Sequence, residues 1–152
     1  MASALVRAIT AQDREEWLRM RDALWPGSVQ SHAAETARYF EQGGDGLVVL
    51  VAEVEGRLVG FLELDQRKYA PGCESSPVAF IEGWYVDQAL RGQGVGRELV
   101  EAAENTARAA GHVEIASDSE LGNNDGIAAH RALGFEEIER VVCFRKSLRT
   151  AG

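Results

Sequence analysis

The chain has 152 residues, 45% of them apolar, and a formal net charge of −8 at pH 7. This length suits a single domain over residues 1–152, and no segment approaches the ~18 consecutive apolar residues of a membrane span. The negative charge argues against a nucleic-acid partner and is compatible with a cationic substrate. Cys73 and Cys143 form neither a disulfide framework nor a metal-binding spacing, and the N-terminus lacks the pattern of a secretion signal. We therefore expect a cytoplasmic protein that holds no metal.

Apolar periodicity and turn residues predict a strand, two helices and a hairpin in the first half of the chain. Thr10 and Asp13 mark the start of the first helix, and Ser31 is the predicted cap of the second. Glu55-Gly56 is the predicted hairpin turn. In chain order, the predicted elements are a strand at 5–9, helices at 15–24 and 31–40, and strands at 47–54 and 57–64.

The second half of the chain alternates between strands and helices. Residues 65–77, with Pro71-Gly72 inside them, are predicted to be a loop of the kind that contacts substrates. The other predicted elements are a strand at 78–86, a helix at 95–110, a strand at 113–117, a helix at 125–132, and strands at 135–140 and 141–148. This order is typical of a mixed α/β fold.

A glycine-rich turn, Arg91-Gly92-Gln93-Gly94-Val95-Gly96, connects the strand at 78–86 to the next helix. Its glycines let the backbone approach a ligand, and the first N–H groups of the helix point at an anion. Arg91 can add a charged contact. The spacing is neither that of a P-loop nor that of a dinucleotide-binding fingerprint. The turn therefore predicts a site for another phosphate-bearing ligand, although a plain glycine turn would have the same local pattern.

Two motifs of this chain resemble those of the GCN5-related N-acetyltransferase (GNAT) superfamily. Arg91, Gly94 and Gly96 match its acetyl-CoA signature. Further along the chain, Asn123, His130 and the string 133–135 (Leu-Gly-Phe) match its second element. The resemblance implies a mixed, mostly antiparallel sheet that is flanked by helices and has splayed strands four and five.

The same resemblance implies acetyl-CoA as the cosubstrate and a homodimer as the assembly. The pantetheine arm of acetyl-CoA would pair with main-chain groups of Trp84, Tyr85 and Val86, and Asn123 would contact the cofactor. The predicted cofactor-binding residues are Trp84, Tyr85, Val86, Arg91, Gly92, Gln93, Gly94, Val95, Gly96 and Asn123.

A closer resemblance, to bacterial aminoglycoside 6'-N-acetyltransferases, covers residues 6–146. It is carried by strings outside the cofactor signature, at 24–27, 72–77, 80–83, 116–118, 134–137 and 139–140. It implies that the aminoglycoside is contacted by Trp25, Tyr69, Glu82, Asp118 and Glu139. These residue types suit a polycationic sugar, because carboxylates bind ammonium groups and aromatic rings provide flat faces and cation–π contacts.

Glu82 is the strongest catalytic candidate, because it interrupts the apolar run 78–86, where a carboxylate facing the core would be costly. It would face a cleft and take the proton that the acceptor amine must lose. Asp118 would help to hold the amine, and a main-chain N–H of Trp84 to Val86 would stabilise the oxyanion. Neither cysteine is needed as a nucleophile.

The chain departs from the family at Phe144, where related enzymes have a tyrosine that could protonate the leaving thiolate. His130 occupies the position of the acid tyrosine in other superfamily members and could titrate in the useful range, although a helix-surface or packing role is the alternative. Two alternatives stay open at this point. The protein could acetylate a polyamine or a protein N-terminus, or it could bind an aminoglycoside without turning it over.

Overall fold

The computed structural model describes residues 3–150, and over these residues it has five strands and four α-helices. No helix in this range is long and apolar enough to cross a membrane. The strands are β1 (Leu5–Ala8), β2 (Val48–Val54), β3 (Arg57–Arg67), β4 (Val78–Val86) and β5 (Ile115–Ser117). The helices are α1 (Arg14–Leu24), α2 (Val29–Gln42), α3 (Val95–Ala109) and α4 (Asn124–Ala132).

The chain divides after Asp118 into two compact units. The first contains the whole sheet and α1 to α3, and the second contains α4 and the residues that follow it. The single domain inferred from chain length stays a prediction.

The strands of the described chain form one sheet in the order β1-β2-β3-β4-β5. Neighbours are antiparallel except for β4 and β5, which are parallel. The β4–β5 pairing runs from Ala79 opposite Ile115 to Ile81 opposite Ser117, although β4 continues to Val86. The structure thus confirms the predicted mixed sheet, and the divergence of β5 from β4 is the predicted splay.

Helices cover both faces of the sheet. Phe61 packs in one core cluster with Trp17 and Met20 of α1, whereas the adjacent Gly60 lies against Leu99 of α3. Because successive strand residues point to opposite faces, α1 and α3 lie on opposite sides of β3. The large side chains Trp17, Met20, Phe61 and Leu99 are fully buried.

Several predicted boundaries in the first unit are wrong by two or three residues; β5, for example, begins at Ile115 and not at residue 113. Helix α2 begins at Val29, after Ser28, so Ser31 is not its cap; the Ser31 hydroxyl lies inside the helix and donates to Glu35 Oε1 at 3.1 Å. Strand β3 extends three residues beyond its predicted end, because residues 65–67 pair with 78–80 of β4. The predicted loop 65–77 therefore begins only after Arg67.

The two predicted C-terminal strands, 135–140 and 141–148, are also wrong. Within residues 119–150, taken as a unit, the structure has helix α4 and no strand. The alternating apolar pattern of residues 135–148 is present, but in this unit no neighbouring strand supplies the hydrogen bonds that the N–H and C=O groups of a strand need. Apolar side chains in this segment are exposed, among them Val142 (70%), Phe144 (92%) and Leu148 (88%).

Candidate active site

A β-bulge in β4 occurs at Glu82. Strands β3 and β4 pair Glu63 with Gly83 and then Leu64 with Ile81, so Glu82 is an additional residue on β4. Directly paired residues point to the same face, and the Glu63 carboxylate accepts hydrogen bonds from α1, so Gly83 lies on the α1 face. Bulges re-aim side chains and are frequent beside active sites. The bulge brings Glu82 to the α1 face beside Gly83.

Both oxygens of the Glu82 carboxylate accept hydrogen bonds from Arg67. Nε donates to Oε2 at 3.0 Å and Nη2 donates to Oε1 at 2.7 Å. The guanidinium carbon also lies 3.5 Å from the centroid of the Phe80 ring, which is a cation–π contact. The pKa of Arg67 is raised, first by its hydrogen bonds to Glu82 and then by the negative charges of Glu82, Asp118 and Asp65. The predicted base is therefore paired with a cation that the sequence did not single out.

Asp118 lies close to this pair because it follows β5 directly. The last residue of β5, Ser117, pairs with Ile81, the residue before Glu82. The Asp118 side chain is exposed and acts electrostatically on Arg67. The structure thus brings together the two predicted catalytic carboxylates.

The loop 68–77 is fixed to the start of β5 by Glu114. The Glu114 carboxylate accepts hydrogen bonds from the main-chain N–H groups of Glu74 (2.9 Å) and Ser75 (2.7 Å) and from the Ser75 hydroxyl (2.6 Å). These hydrogen bonds lower the pKa of Glu114. Tyr69, near the beginning of the loop, is 72% exposed. Its ring can therefore contact a ligand, although it is not held in place as Trp25 is.

Trp25 lies on β4 at Gly83. A Cβ added to Gly83 would be 2.6 Å from Cη2 of Trp25, so the indole needs a glycine at this position. The ring is half-buried and lies 5.1 Å from the guanidinium carbon of Arg21, and the Trp25 carbonyl is 2.9 Å from His32 Nε2. Trp25 is thus partly a core residue, and its remaining surface lies one residue from Glu82.

A buried ion pair supports Trp25 from the side of α1. Arg21 Nη1 donates to both carboxylate oxygens of Glu63, at 3.1 and 3.0 Å, and Trp17 Nε1 donates to Oε2 at 3.2 Å. Arg21 and Glu63 are only 7% and 4% exposed. Burial raises the pKa of Glu63, and the Arg21 charge opposes that shift. This pair fixes the end of α1 against β3. Trp25 follows α1 directly, so the pair also helps to hold the indole in place.

The glycine turn has the backbone that the motif predicts. Gly92 and Gly94 have φ of +79° and +92°, which L side chains rarely adopt. Within the described chain, no atom lies within 4 Å of a Cβ built on either glycine, so open space borders the turn. Gly96 packs closely against Trp84, since a Cβ at this position would lie 3.1 Å from Trp84 Cζ2. Gln93 is exposed, and Val95 is buried as the first residue of α3.

The end of β4 is joined to this turn by Arg91. Its Nε donates to the Val86 carbonyl at 2.8 Å, so part of the guanidinium has a structural role. Residues 84–86 follow the point where β5 leaves β4, at Ile81 and Ser117. The predicted main-chain partners of a pantetheine arm therefore lie on the diverging edge, next to the first turn of α3.

The predicted residues of the second unit have local roles there. Asn123 caps α4, since its Oδ1 accepts a hydrogen bond from the Gly126 N–H at 3.0 Å. His130 Nδ1 is 2.6 Å from the Gly126 carbonyl, and the His130 ring packs edge-on against Phe135 at 5.3 Å. A packing role for His130 is therefore present. Glu139 is exposed in the segment after α4.

Cys73 is not arranged as a nucleophile. Burial raises the pKa of Cys73, and the nearby Glu114 carboxylate adds to this, so the thiolate is disfavoured. The Cys73 side chain packs against the buried cluster of Ala70, Val78 and Phe80. Over residues 3–150, no group of three or more His, Cys, Asp or Glu side chains is placed to hold a metal ion.

Two important residues, Arg67 and Gly83, were missed by sequence reasoning. Arg67 lay in the predicted loop, and its contact with Glu82 depends on the register of β3 and β4. Gly83 was noted only as part of the apolar run 78–86 and of the string 80–83, with no role of its own. A small residue beside a charged one in a strand is the single local signal that could have drawn attention to a bulge.

Comparison with known proteins identifies the family. Residues 15–135 match the model of the acetyltransferase (GNAT) family. A protein of Klebsiella aerogenes named aminoglycoside N(6')-acetyltransferase type 1 is 45% identical over 150 residues, which cover 97% of this chain and 99% of that protein. A crystal structure of the aminoglycoside N-acetyltransferase AAC(6')-Iy in complex with CoA has a TM-score of 0.88 and 34% identity, and covers 96% of both chains. A second structure of AAC(6')-Iy, with the bisubstrate analogue CoA-S-monomethyl-acetylneamine, has the same TM-score and identity and covers 96% of this chain and 99% of that one. This chain therefore belongs to the acetyltransferase (GNAT) family.

Proposed function

We propose that the protein transfers the acetyl group of acetyl-CoA to the 6'-amino group of an aminoglycoside by direct attack of the amine. The observation that carries this proposal is the bulge in β4. The bulge puts Glu82 beside Gly83, against which Trp25 packs, and Ser117, the residue before Asp118, pairs with Ile81, the residue before Glu82. Relatives that share a third to nearly half of the sequence are named as aminoglycoside N-acetyltransferases, which supports this acceptor.

The residues near the diverging edge of β4 fit acetyl-CoA, which supplies an acetyl thioester. Open space borders Gly92 and Gly94, and the first-turn N–H groups of α3 would bind the pyrophosphate there. Main-chain groups of residues 84–86 would bind the pantetheine arm, and one of their N–H groups would stabilise charge on the carbonyl oxygen. We assign Asn123 a cofactor contact as well.

Glu82 would act as the base, directly or through a water. The acceptor amine arrives mostly protonated at neutral pH and must lose a proton before it attacks. Asp118 would hold the amine in line, and the two carboxylates together suit a cationic acceptor. No acyl-enzyme is required, in agreement with the raised pKa of Cys73. The thiolate would leave without an acid, or with a proton from His130.

Further acceptor contacts are assigned to the rings of Trp25 and Tyr69 and to the carboxylate of Glu139. Trp25 is held by Gly83 and Arg21, so it would offer a rigid surface to a sugar ring. Tyr69 is largely exposed and would order on binding. Two flat aromatic surfaces favour a sugar acceptor over a linear polyamine, which has no ring to stack on them.

We also infer a homodimer in the cytoplasm. The exposed apolar side chains of the segment 135–150, including Val142, Phe144 and Leu148, form the kind of surface that marks a protein interface. Light scattering on the purified protein tests this: twice the monomer mass is expected, and a monomer at micromolar concentration would exclude it.

The decisive experiment is release of the CoA thiol with acetyl-CoA and a panel of acceptors. The panel contains aminoglycosides with a 6'-amine, aminoglycosides with a 6'-hydroxyl, spermidine and a peptide. Turnover confined to 6'-amines is expected. Turnover only with spermidine or peptide would replace the acceptor, and aminoglycoside binding without turnover would support a sequestering protein.

The role of Glu82 is tested in the same assay with Glu82→Gln. This change should lower kcat by about 10²- to 10⁴-fold, the usual contribution of a general base, and leave the KM for acetyl-CoA nearly unchanged. Glu41→Gln, at the exposed end of α2, is the matched control and should behave as wild type. If the Glu82 variant retains wild-type kcat, Glu82 is not the base.

A further inference from the structure

Arg67 stands in the way of the chemistry proposed for Glu82. A protonated amine can give its proton to Glu82 only if a carboxylate oxygen is accessible to it. Both oxygens accept hydrogen bonds from Arg67, at 3.0 and 2.7 Å. These bonds fill one lone-pair position on each oxygen, so the guanidinium competes with the ammonium group of the acceptor for the same carboxylate.

The surroundings of the Arg67 guanidinium are those of an ammonium-binding position. The charge is bound by Glu82, lies 3.5 Å from the centre of the Phe80 ring, and is within electrostatic reach of Asp118 and Asp65. Carboxylates and an aromatic face are the groups that bind ligand cations in proteins. A single arginine leaves this position with more negative than positive charge.

The arginine can leave this position at small cost. Its side chain is 43% exposed and that of Glu82 is 30% exposed. An ion pair this accessible to water is weak, and solvent is available to the displaced guanidinium. The buried pair of Arg21 and Glu63, whose side chains are 8% and 6% exposed, has no such freedom.

We propose that Arg67 is an internal competitor for the acceptor: its guanidinium occupies the ammonium position in the free protein and is displaced when the acceptor binds. The inference rests on the proposed function and adds a residue that sets acceptor affinity. Every acceptor has to displace the same cation. Acceptors with several ammonium groups recover this loss through other contacts, whereas monoamines bind too weakly to be acetylated efficiently.

The test compares Arg67→Gln, Arg67→Lys and wild type. For Arg67→Gln, we expect the Kd of kanamycin from calorimetry and its KM to fall roughly 3- to 30-fold, the combined effect of losing an exposed ion pair and an exposed cation–π contact. The value of kcat should stay within about twofold, because Glu82 is released in the complex of either protein. Arg67→Lys keeps the cation and should restore most of the wild-type Kd.

A matched control separates local competition from net charge. Arg57→Gln removes one positive charge from the exposed opposite end of β3 and should leave the Kd of kanamycin unchanged. An equal gain in affinity from both glutamine variants would overturn the proposal. So would a rise in kanamycin KM in Arg67→Gln, since this would mean that Arg67 assists the acceptor.

Displacement can also be observed directly by NMR. The Arg67 Nε–H signal, assigned by its loss in Arg67→Lys, should shift away from its hydrogen-bonded position when kanamycin saturates the protein, and should not move with CoA alone. A signal unaffected by kanamycin would refute the proposal. These outcomes are separate from failure of the proposed function, which would appear as an absence of aminoglycoside turnover in the wild-type protein.

Discussion

Replacing Gly83 by alanine should weaken aminoglycoside binding through Trp25. An added Cβ would lie 2.6 Å from Cη2 and 3.0 Å from Cζ2 of Trp25. Carbon atoms pack best at ~3.5–4.0 Å, so the outer edge of the indole has to move by roughly 1 Å. Overpacking of this kind costs about 1–3 kcal/mol. Because the ring is also in contact with Arg21 and Phe61, the shift disturbs both the core and the surface proposed for the sugar.

The assay is steady-state kinetics with kanamycin varied at saturating acetyl-CoA. We expect the KM of kanamycin to rise about 5- to 20-fold, which corresponds to ~1–2 kcal/mol, with the KM of acetyl-CoA unchanged. In a Trp25→Ala background the clash is gone, so Gly83→Ala should add little. An equal effect of Gly83→Ala in both backgrounds would refute this reasoning.

Gly60→Ala is the matched control in the neighbouring strand. Its Cβ would lie 2.8 Å from the Tyr85 carbonyl oxygen, a main-chain atom that cannot rotate away. This variant should therefore lower the midpoint temperature of unfolding more than Gly83→Ala does. It should do so without the selective rise in kanamycin KM.

Three further predictions concern stability and the cofactor turn. Hydrogen bonds from Arg7 lower the pKa of Asp13 to about 2, so ionised Asp13 stabilises the fold by about 1–2 kcal/mol above about pH 4. This contribution is lost as the pH falls through 2. In urea unfolding between pH 7 and 2, the difference in unfolding free energy between wild type and Asp13→Asn should therefore vanish at low pH. Arg21→Met leaves the Glu63 carboxylate buried without its partner and should lower the free energy of unfolding by about 3–5 kcal/mol at pH 8. The loss should be smaller at pH 4, because the raised pKa of Glu63 lets the protein fold with this residue as the neutral acid. A loss of stability that does not depend on pH would contradict this. Gly94→Val forces a β-branched residue to φ near +92° and should raise the KM of acetyl-CoA about tenfold in the thiol-release assay while the KM of kanamycin stays constant.

The sequence predicts those parts of the fold that depend on local pattern. The run 78–86 has the bounds of β4, and the hairpin turn at Glu55-Gly56 separates β2 from β3. The helix after the glycine turn begins at Val95, as predicted. Apolar runs and glycines at turns act over a few residues, so one sequence is enough to read them.

The parts that were missed depend on contacts between distant residues. Asp65, Gln66 and Arg67 are polar and look like a loop, but they form strand because β4 pairs with them. The prediction of strands after residue 134 is wrong for the opposite reason: their alternating pattern suits a strand, but no other strand pairs with this segment in its unit. Local propensity could not decide either case.

The bulge would let strand β4 contact both of the proposed ligands. In a regular strand, adjacent residues point to opposite faces. Here the extra residue places the Glu82 side chain beside Gly83. The Glu82 carboxylate and the glycine against which Trp25 packs therefore lie together on the α1 face. The main chain of residues 84–86, just beyond them, has no pairing with β5. Under the proposed function, side chains at the bulge would bind the acceptor and the main chain of residues 84–86 would bind the thioester, so the two reacting groups would meet there. A one-residue deletion beside the bulge that kept both Glu82 and Gly83 would turn one of them to the α3 face. Such a variant should show no turnover in the thiol-release assay, even if the sheet still formed.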